Sequence, residues 1–241
     1  MPISQVIESE LTDHSGIVRL RQTERIDWTH TPMQIERGLQ DDFWSVRRAW
    51  ARRMDWTPTP EQIERGLTDK KVEVRWAWAE RMDFVPTPEQ VERGLTDKDS
   101  WVRRAWAGRV DYTPTAEQVE RGLSDVMRSI RMSWVRRMDF TPTPEQIERG
   151  LTDSDVDVRE LWIRRSDFTP TTSQAERGIL DEDVRHTLIW LSRTDIVWTD
   201  AQIGRGLLSD NDRIRAAWEQ VVFRQNQKAT KDWESDTVFC I

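Results

Sequence analysis

The sequence repeats itself every 28 residues. The tripeptide Arg-Gly-Leu, with isoleucine for leucine in one copy, recurs seven times at this spacing, and its glycines make up seven of the ten in the chain. A fixed period of this length is typical of solenoids, in which each short unit buries its apolar face against its neighbours. The glycines of the repeat are Gly38, Gly66, Gly94, Gly122, Gly150, Gly178 and Gly206.

Each unit has the pattern of two short helices, as residues 84–112 show. A Thr-Pro pair suits the N-cap and the first position of one helix. After a polar turn, Val102, Trp106 and Val110 follow a helical spacing and are predicted to lie on one buried face of a second helix. Helices of ~8 to 11 residues are marginal on their own, so packing between repeats must stabilise them. The sequence therefore predicts an all-α fold.

The chain divides into three segments that differ in how closely they match the repeat. Residues 1–30 are predicted to be a degenerate N-terminal capping repeat, because Glu10 stands at the glycine position and Gln22 at a tryptophan position. Residues 31–224 contain seven two-helix repeats. Residues 225–241 are predicted to be a polar C-terminal tail with a short apolar end.

An aspartate in each turn is followed six residues later by an arginine that comes directly after an apolar residue, as Asp69 is by Arg75. Over roughly residues 8–224 this pattern resembles HEAT repeats and the related leucine-rich repeat variant. The resemblance implies a HEAT-like, right-handed α-solenoid with a ladder of Asp-Arg pairs, rather than a row of arginines that binds phosphate. Six residues after Asp181 the sequence has Thr187 instead of an arginine, so one Asp-Arg pair is expected to be missing.

One tryptophan per repeat stands at the same position of the second helix. These side chains either line a binding groove as an aromatic ladder or form the core. The position of Trp106 on a helical wheel, close to Val102, favours the core, and a glycine on the first helix would let the indole approach its backbone. The capping repeat lacks both residues, as a packing pair would require. The seven tryptophans are Trp50, Trp78, Trp106, Trp134, Trp162, Trp190 and Trp218.

A second column of arginines is predicted to point inward. Each one precedes an aspartate by two positions, as Arg53 precedes Asp55, and a buried guanidinium needs such a partner. On the first helix, by contrast, Glu61 and Arg65 are predicted to lie on a solvated surface and to pair with each other. The inward column consists of Arg25, Arg53, Arg81, Arg109, Arg137, Arg165 and Arg193.

The predicted binding surface is the outer face of the second helices, where the residues differ between repeats. A solenoid core is repetitive and a partner usually is not, so variation at an exposed position indicates binding. Trp76 breaks the pattern of its column, and aromatic, aliphatic and arginine side chains are typical interface anchors. The predicted partner-binding residues are Arg48, Arg52, Trp76, Arg104, Met132, Arg136, Arg164 and Leu188.

Composition and motifs argue against several other functions. The net charge of -7 disfavours nucleic acid and anionic membranes as partners. The three histidines occupy unrelated positions of the repeat and no glycine-rich phosphate loop occurs, so no catalytic residue, metal ligand or cofactor is predicted. The single cysteine fits a reducing, cytoplasmic location, and no apolar run is long enough to cross a membrane.

We therefore expect a noncatalytic scaffold that binds a protein or peptide along a concave surface formed by its second helices. The alternative is a HEAT-like solenoid that binds nucleic acid through concave arginines and Trp76. Phosphate contacts would make such binding fall steeply with salt, whereas an apolar peptide groove would be nearly insensitive to it.

Overall fold

A computed structural model describes residues 3–25 and 27–237, with the side chains of residues 5–25 and 27–228. Within these ranges the chain forms sixteen helices and no strand, which confirms the all-α solenoid of two-helix repeats. The right-handed twist remains a prediction. The first helices of the pairs are α1 (Ile3–Leu11), α3 (Pro32–Leu39), α5 (Pro60–Leu67), α7 (Pro88–Leu95), α9 (Ala116–Leu123), α11 (Pro144–Leu151), α13 (Thr172–Ile179) and α15 (Asp200–Leu207). The second helices are α2 (Gly16–Thr23), α4 (Trp44–Arg52), α6 (Val72–Ala79), α8 (Ser100–Ala107), α10 (Arg128–Val135), α12 (Val156–Arg164), α14 (Val184–Ser192) and α16 (Asp212–Thr237).

A capping box begins each first helix from α3 to α15. In α7 the Thr87 hydroxyl accepts a hydrogen bond from the Gln90 backbone N–H, and the Gln90 side chain accepts one from the Thr87 N–H. Two N–H groups that lack a partner within the helix are satisfied in this way. Thr-Pro pairs therefore mark the starts of α3, α5, α7 and α11 correctly, whereas α9, α13 and α15 begin after a threonine without proline.

The chain folds as two compact units, which meet in sequence at Phe140 and Thr141. In the first unit the second helices contact one another much more extensively than the first helices do. The second helices of this unit consequently form its narrower, more densely packed layer. In the second unit, α16 is longer than the other second helices and includes most of residues 225–241, while residues 238–241 of the expected tail lie outside the described range.

The seven repeated tryptophans form the core of the two units. Each is at most 3% exposed, and a Cβ built on the glycine of the same repeat would overlap the indole ring. Trp106, for example, lies directly against the backbone of Gly94. The Gly-Trp packing pair is confirmed, and the aromatic ladder along a groove is not formed by these residues.

The Asp-Arg ladder joins neighbouring repeats of the first unit. Arg75 donates two hydrogen bonds to Asp97, of 2.7 and 2.9 Å, and a third to the carbonyl of Asp69 in its own turn. Such a bidentate, largely buried guanidinium is occupied by its carboxylate and does not face solvent as a phosphate ligand would. The same pairing recurs in the first unit at Arg19–Asp41, Arg47–Asp69 and Arg103–Asp125.

The inward arginines clamp neighbouring repeats together. Arg81 donates hydrogen bonds to both carboxylate oxygens of Asp83, at 2.9 and 2.5 Å, and to the carbonyl of Arg53 in the preceding repeat at 2.7 Å. Its guanidinium carbon also lies 4.6 Å from the ring centroid of Trp56 and 5.3 Å from that of Trp78. The buried charge is thus satisfied by a carboxylate, by carbonyls and by aromatic faces. The same clamp recurs in this unit at Arg53, Arg109 and Arg137.

The first helices are linked by a third ladder, which corrects the expected pairing of Glu61 with Arg65. Arg65 instead donates to Glu36 of the preceding repeat at 2.7 Å, and Gln62 donates to the same carboxylate at 2.9 Å. Helical spacing alone suggested a partner within the helix, but the stacking of repeats brings Glu36 closer. Residues that looked like ordinary solvated surface therefore connect one repeat to the next.

The predicted burial of Val110 is wrong. Helix α8 ends at Ala107, and Val110 lies beyond it with 79% of its surface exposed. Gly108 and Arg109 leave the helix, so the helical spacing that placed Val110 beside Trp106 no longer applies.

We predict that Gly94→Ala lowers the free energy of unfolding by about 1–3 kcal/mol, because the new methyl group overlaps Trp106. Gly108→Ala is the matched control, since a Cβ there would approach no atom closer than 3.6 Å. We expect it to change stability by less than about 0.5 kcal/mol. Urea unfolding followed by circular dichroism measures both variants. Equal effects of the two substitutions would contradict the Gly-Trp packing pair.

The Arg75–Asp97 pair makes stability depend on pH. Burial alone would raise the pKa of Asp97, but hydrogen bonds from Arg75 and from the Asp99 backbone N–H outweigh burial and lower it. A carboxyl with a lowered folded pKa stabilises the fold above its unfolded pKa of ~3.9, and this contribution is lost as the pH falls through the folded value. We predict that Asp97→Asn is most destabilising near neutral pH and that its difference from the wild type shrinks below pH ~4. Unfolding in urea from pH 7 to pH 3 tests this, and a difference that stays constant would contradict it.

Candidate functional site

Once the repeated side chains are assigned to packing, the second helices of the first unit retain a set of variable, accessible residues. A hollow of about 470 Å³ opens along α6 and α8. We call it the tryptophan hollow and define it by Trp76, Glu80, Trp101, Arg104 and Gly108. Its volume lies within the range of small-ligand sites and is large enough for a bulky side chain of a partner.

Four side chains stack in a row across three repeats at this hollow. The Arg52 guanidinium carbon lies 5.3 Å from the Trp76 ring centroid, and that of Arg104 lies 5.9 Å from the Trp101 centroid. Between the two arginines, the tryptophan rings approach to 5.7 Å at an interplanar angle of 46°. Trp101 remains 55% exposed. The row therefore holds an aromatic surface in place while one of its tryptophans stays open to a partner.

Gly108 opens one side of the tryptophan hollow. The same repeat position is occupied by Arg52, Glu80 and Arg136 in the other regular repeats of the first unit. Unlike the seven glycines that contact tryptophan, Gly108 is not required by packing, since a Cβ would meet only backbone oxygens at 3.6 Å. At this position the tryptophan hollow is therefore bounded by backbone, whereas Arg52 adds a side chain to the lining of a second hollow.

A second hollow, of about 710 Å³, lies along α2 and α4. We call it the arginine hollow, because Arg48 and Arg52 line it together with Leu20 and Met54. Arg52 also stacks on Trp76, so it belongs to the walls of both features. The two hollows are consequently neighbours on one surface of the first unit.

Exposed apolar residues form a row along the same surface. Each directly follows a clamp arginine, and each has between 50% and 79% of its surface exposed. Met54 lines the arginine hollow and Met82 lines the tryptophan hollow. The corresponding positions in the second unit carry the polar residues Ser166 and Thr194. We call Met54, Met82, Val110 and Met138 the apolar row.

The structure brings four of the predicted binding residues together at the hollows, namely Arg48, Arg52, Trp76 and Arg104. Trp76 is half-buried rather than fully exposed, because Arg52 and Trp101 cover part of its ring. Trp101 was not predicted.

The other predicted residues lie apart from the hollows. In the first unit, Met132 is half-buried and Arg136 is exposed. In the second unit, Leu188 is half-buried and Arg164 forms an ion pair of 3.0 Å with Glu160, four residues earlier in the same helix.

Variation between repeats would have revealed both features that sequence reasoning missed. The position of Trp101 is occupied by Ser45, Glu73 and Ser129 in the other regular repeats of this unit, so it varies as the position of Trp76 does. The position of the apolar row is occupied by serine and threonine in the next two repeats, so it varies as well.

His186 is a structural residue of the second unit. It is fully buried, with Nδ1 3.0 Å from Asp181 and Nε2 3.0 Å from the carbonyl of Val156. In the ladder an aspartate pairs with an arginine of the preceding repeat of its unit, so Asp181 faces Arg159, at 3.9 Å, and not the position of Thr187 as expected. His186 supplies the closer contact. Both ring nitrogens are occupied and the ring is out of reach of a substrate.

No group of three or more histidine, cysteine, aspartate and glutamate side chains in residues 3–25 and 27–237 is arranged to hold a metal ion. Among the helices of the same ranges, none combines the length and the apolar character that crossing a bilayer requires.

Comparison with known proteins supports the architecture. A leucine-rich repeat variant, described as having a novel repetitive protein structural motif, superposes with a TM-score of 0.61. The two sequences are 25% identical, and the match covers 86% of this chain and 76% of the other. No family model and no curated protein sequence matches the chain. The resemblance inferred from the Asp-Arg pattern is thus confirmed at the level of the helical-repeat fold.

Proposed function

Because the chain is an α-solenoid of helical repeats similar to the leucine-rich repeat variant, we propose that it is a noncatalytic scaffold that binds an extended segment of a partner protein. The binding surface is formed by the second helices of the first unit. The observation that carries the proposal is the Trp76–Trp101 pair, with Trp101 exposed, held between Arg52 and Arg104. A cytoplasmic location belongs to the same proposal, since a single cysteine suits a reducing compartment.

The composition of the surface supports a protein partner. Tryptophan, arginine and methionine are enriched in protein interfaces, and tryptophan and arginine most often dominate their binding energy. These residue types lie together on the hollows, whereas the repeated arginines and tryptophans are engaged within and between repeats. A partner thus finds its anchors at the positions where the repeat pattern is broken.

Nucleic acid is the second candidate, because a base could stack on the open face of Trp101 beside Arg104. The net charge of -7 opposes it, as does Glu80, which lies 3.8 Å from Arg52 at the same surface. Binding that falls steeply between two salt concentrations would identify this alternative.

We predict that Trp101→Ser weakens partner binding by about tenfold or more, because it removes the most exposed ring of the stacked row. Peptides selected by the wild-type protein from a displayed random library serve as probes, and their affinities are measured by fluorescence anisotropy. The fold should be unaffected, with less than about 0.5 kcal/mol change in the free energy of unfolding, since Ser45 and Ser129 occupy this position in other repeats.

Leu208→Ser is the matched control, because it removes an 83% exposed apolar side chain from the second unit. It should leave the affinity of the selected peptides unchanged. A labelled single-stranded DNA of about 12 nucleotides tests the alternative at low and moderate salt. Selected peptides that bind Trp101→Ser as well as the wild type, or salt-sensitive DNA binding in place of peptide binding, would contradict the proposal.

A further inference from the structure

The binding surface of the first unit presents one apolar side chain per repeat. Met54, Met82, Val110 and Met138 come from the same position of four consecutive repeats and are all exposed. Packed helices lie ~8–10 Å apart, so features that recur once per repeat recur at about that distance. A segment that follows the row must offer a matching side chain at each of these steps.

A polyproline II segment has the matching period. It rises 3.1 Å per residue with three residues per turn, so every third side chain returns to the same side after ~9 Å. In a β-strand, side chains three residues apart point to opposite faces. Those two residues apart share a face, but they are only ~6.7 Å apart. An amphipathic α-helix presents apolar side chains once per turn, every ~5.4 Å, which is closer than the steps of the row. The spacing of the surface therefore favours polyproline II.

The tryptophan hollow supplies the aromatic contacts that this conformation uses. Proline-rich segments dock into grooves lined by aromatic rings, and they lose little conformational entropy because the free segment is already extended. Trp76 and Trp101 form such a lining, and Gly108 belongs to the same hollow without adding a side chain to it. Methionine side chains adapt to apolar partners of irregular shape, which suits the positions along the row.

Arginines in the two hollows favour acidic residues on a bound segment. In the described parts of the chain, neither Arg48 nor Arg104 has a carboxylate within 4.0 Å, and Arg52 reaches Glu80 only at 3.8 Å. Each hollow thus has an arginine that can donate hydrogen bonds to a carboxylate of a partner, beside the lining carboxylates Glu24 and Asp55 in the arginine hollow and Glu80 in the tryptophan hollow. Such pairs add modest affinity but fix the register and direction of a bound segment.

We propose that the first unit recognises an acidic, proline-rich segment of a partner protein in the polyproline II conformation, with an apolar side chain at every third residue. This proposal rests on the proposed function and names its partner. The apolar side chains contact the apolar row and the tryptophan hollow, and the acidic ones face Arg48 and Arg104. A segment of about 15 residues spans ~45 Å in this conformation, enough to cross the second helices of the first unit.

The period is tested with three labelled peptides of about 15 residues, of which the first two have identical composition. One repeats Leu-Pro-Glu, a second has the same residues in shuffled order, and a third is a heptad peptide without proline that forms an amphipathic helix. We expect the Leu-Pro-Glu peptide to bind at least about tenfold more tightly than the other two in fluorescence anisotropy. Equal binding of the shuffled peptide, or tighter binding of the heptad peptide, would overturn the proposal.

Two sets of variants place the bound peptide on the surface. Met82→Ser with Val110→Thr introduces the residue types that the second unit carries in this column, and it should weaken Leu-Pro-Glu binding by about tenfold without loss of melting temperature, because both residues are exposed. Gly108→Arg should block the tryptophan hollow, whereas Gly108→Ala should bind as the wild type does. Binding that none of these substitutions changes would overturn the proposal.

The outcomes separate this proposal from the one on which it rests. If library-selected peptides bind through Trp101 but lack the three-residue period, the polyproline II proposal fails while peptide binding stands. If neither selected nor designed peptides bind, both fail.

Discussion

The contact between an indole ring and a glycine backbone sets the internal geometry of each repeat. A side chain on the glycine would occupy the space of the ring, so the pair fixes how closely the two helices of a repeat approach. Burying an indole of ~150–250 Å² also removes more apolar surface from water than any aliphatic side chain would. A chain in which 33% of residues are charged has few other means of building a core. The high tryptophan content follows from this need.

Polar side chains then connect repeats that the tryptophans organise internally. Arg75 reaches the aspartate of the following repeat, Arg81 the carbonyls of the preceding one, and Glu36 the glutamine and arginine of the next first helix. These contacts between repeats would be absent in an isolated repeat. Stability thus depends on nearest neighbours, as is general for solenoids. The repeated surface is committed to this task and is a poor place for a variable partner to bind.

The sequence predicts what depends on local spacing and misses what depends on the offset between repeats. The 28-residue period, the capped first helices and the Gly-Trp pair follow from helical geometry within one unit. The pairing of Arg65 with Glu36 could not be predicted in the same way, because it requires the relative position of two helices that are distant in sequence. The exposure of Val110 was missed because the chain changes direction after the end of α8, so helical spacing no longer gives the position of its side chain. Trp76 and Trp101 come from different positions of the repeat. They meet because α6 packs against α8, which the sequence pattern does not show.

The same residue type has opposite roles in this chain, and the repeat distinguishes them. Seven glycines are required by a neighbouring indole, whereas Gly108 has only backbone oxygens within 4 Å of its Cβ position and opens a hollow. Seven tryptophans fill the core in strict register, whereas Trp76 and Trp101 stand outside that register on the accessible surface. Because the core residues pack within their own and adjacent repeats, the hollows can change residue by residue without disturbing the fold. The first unit therefore combines an invariant frame with a surface that is free to match one partner.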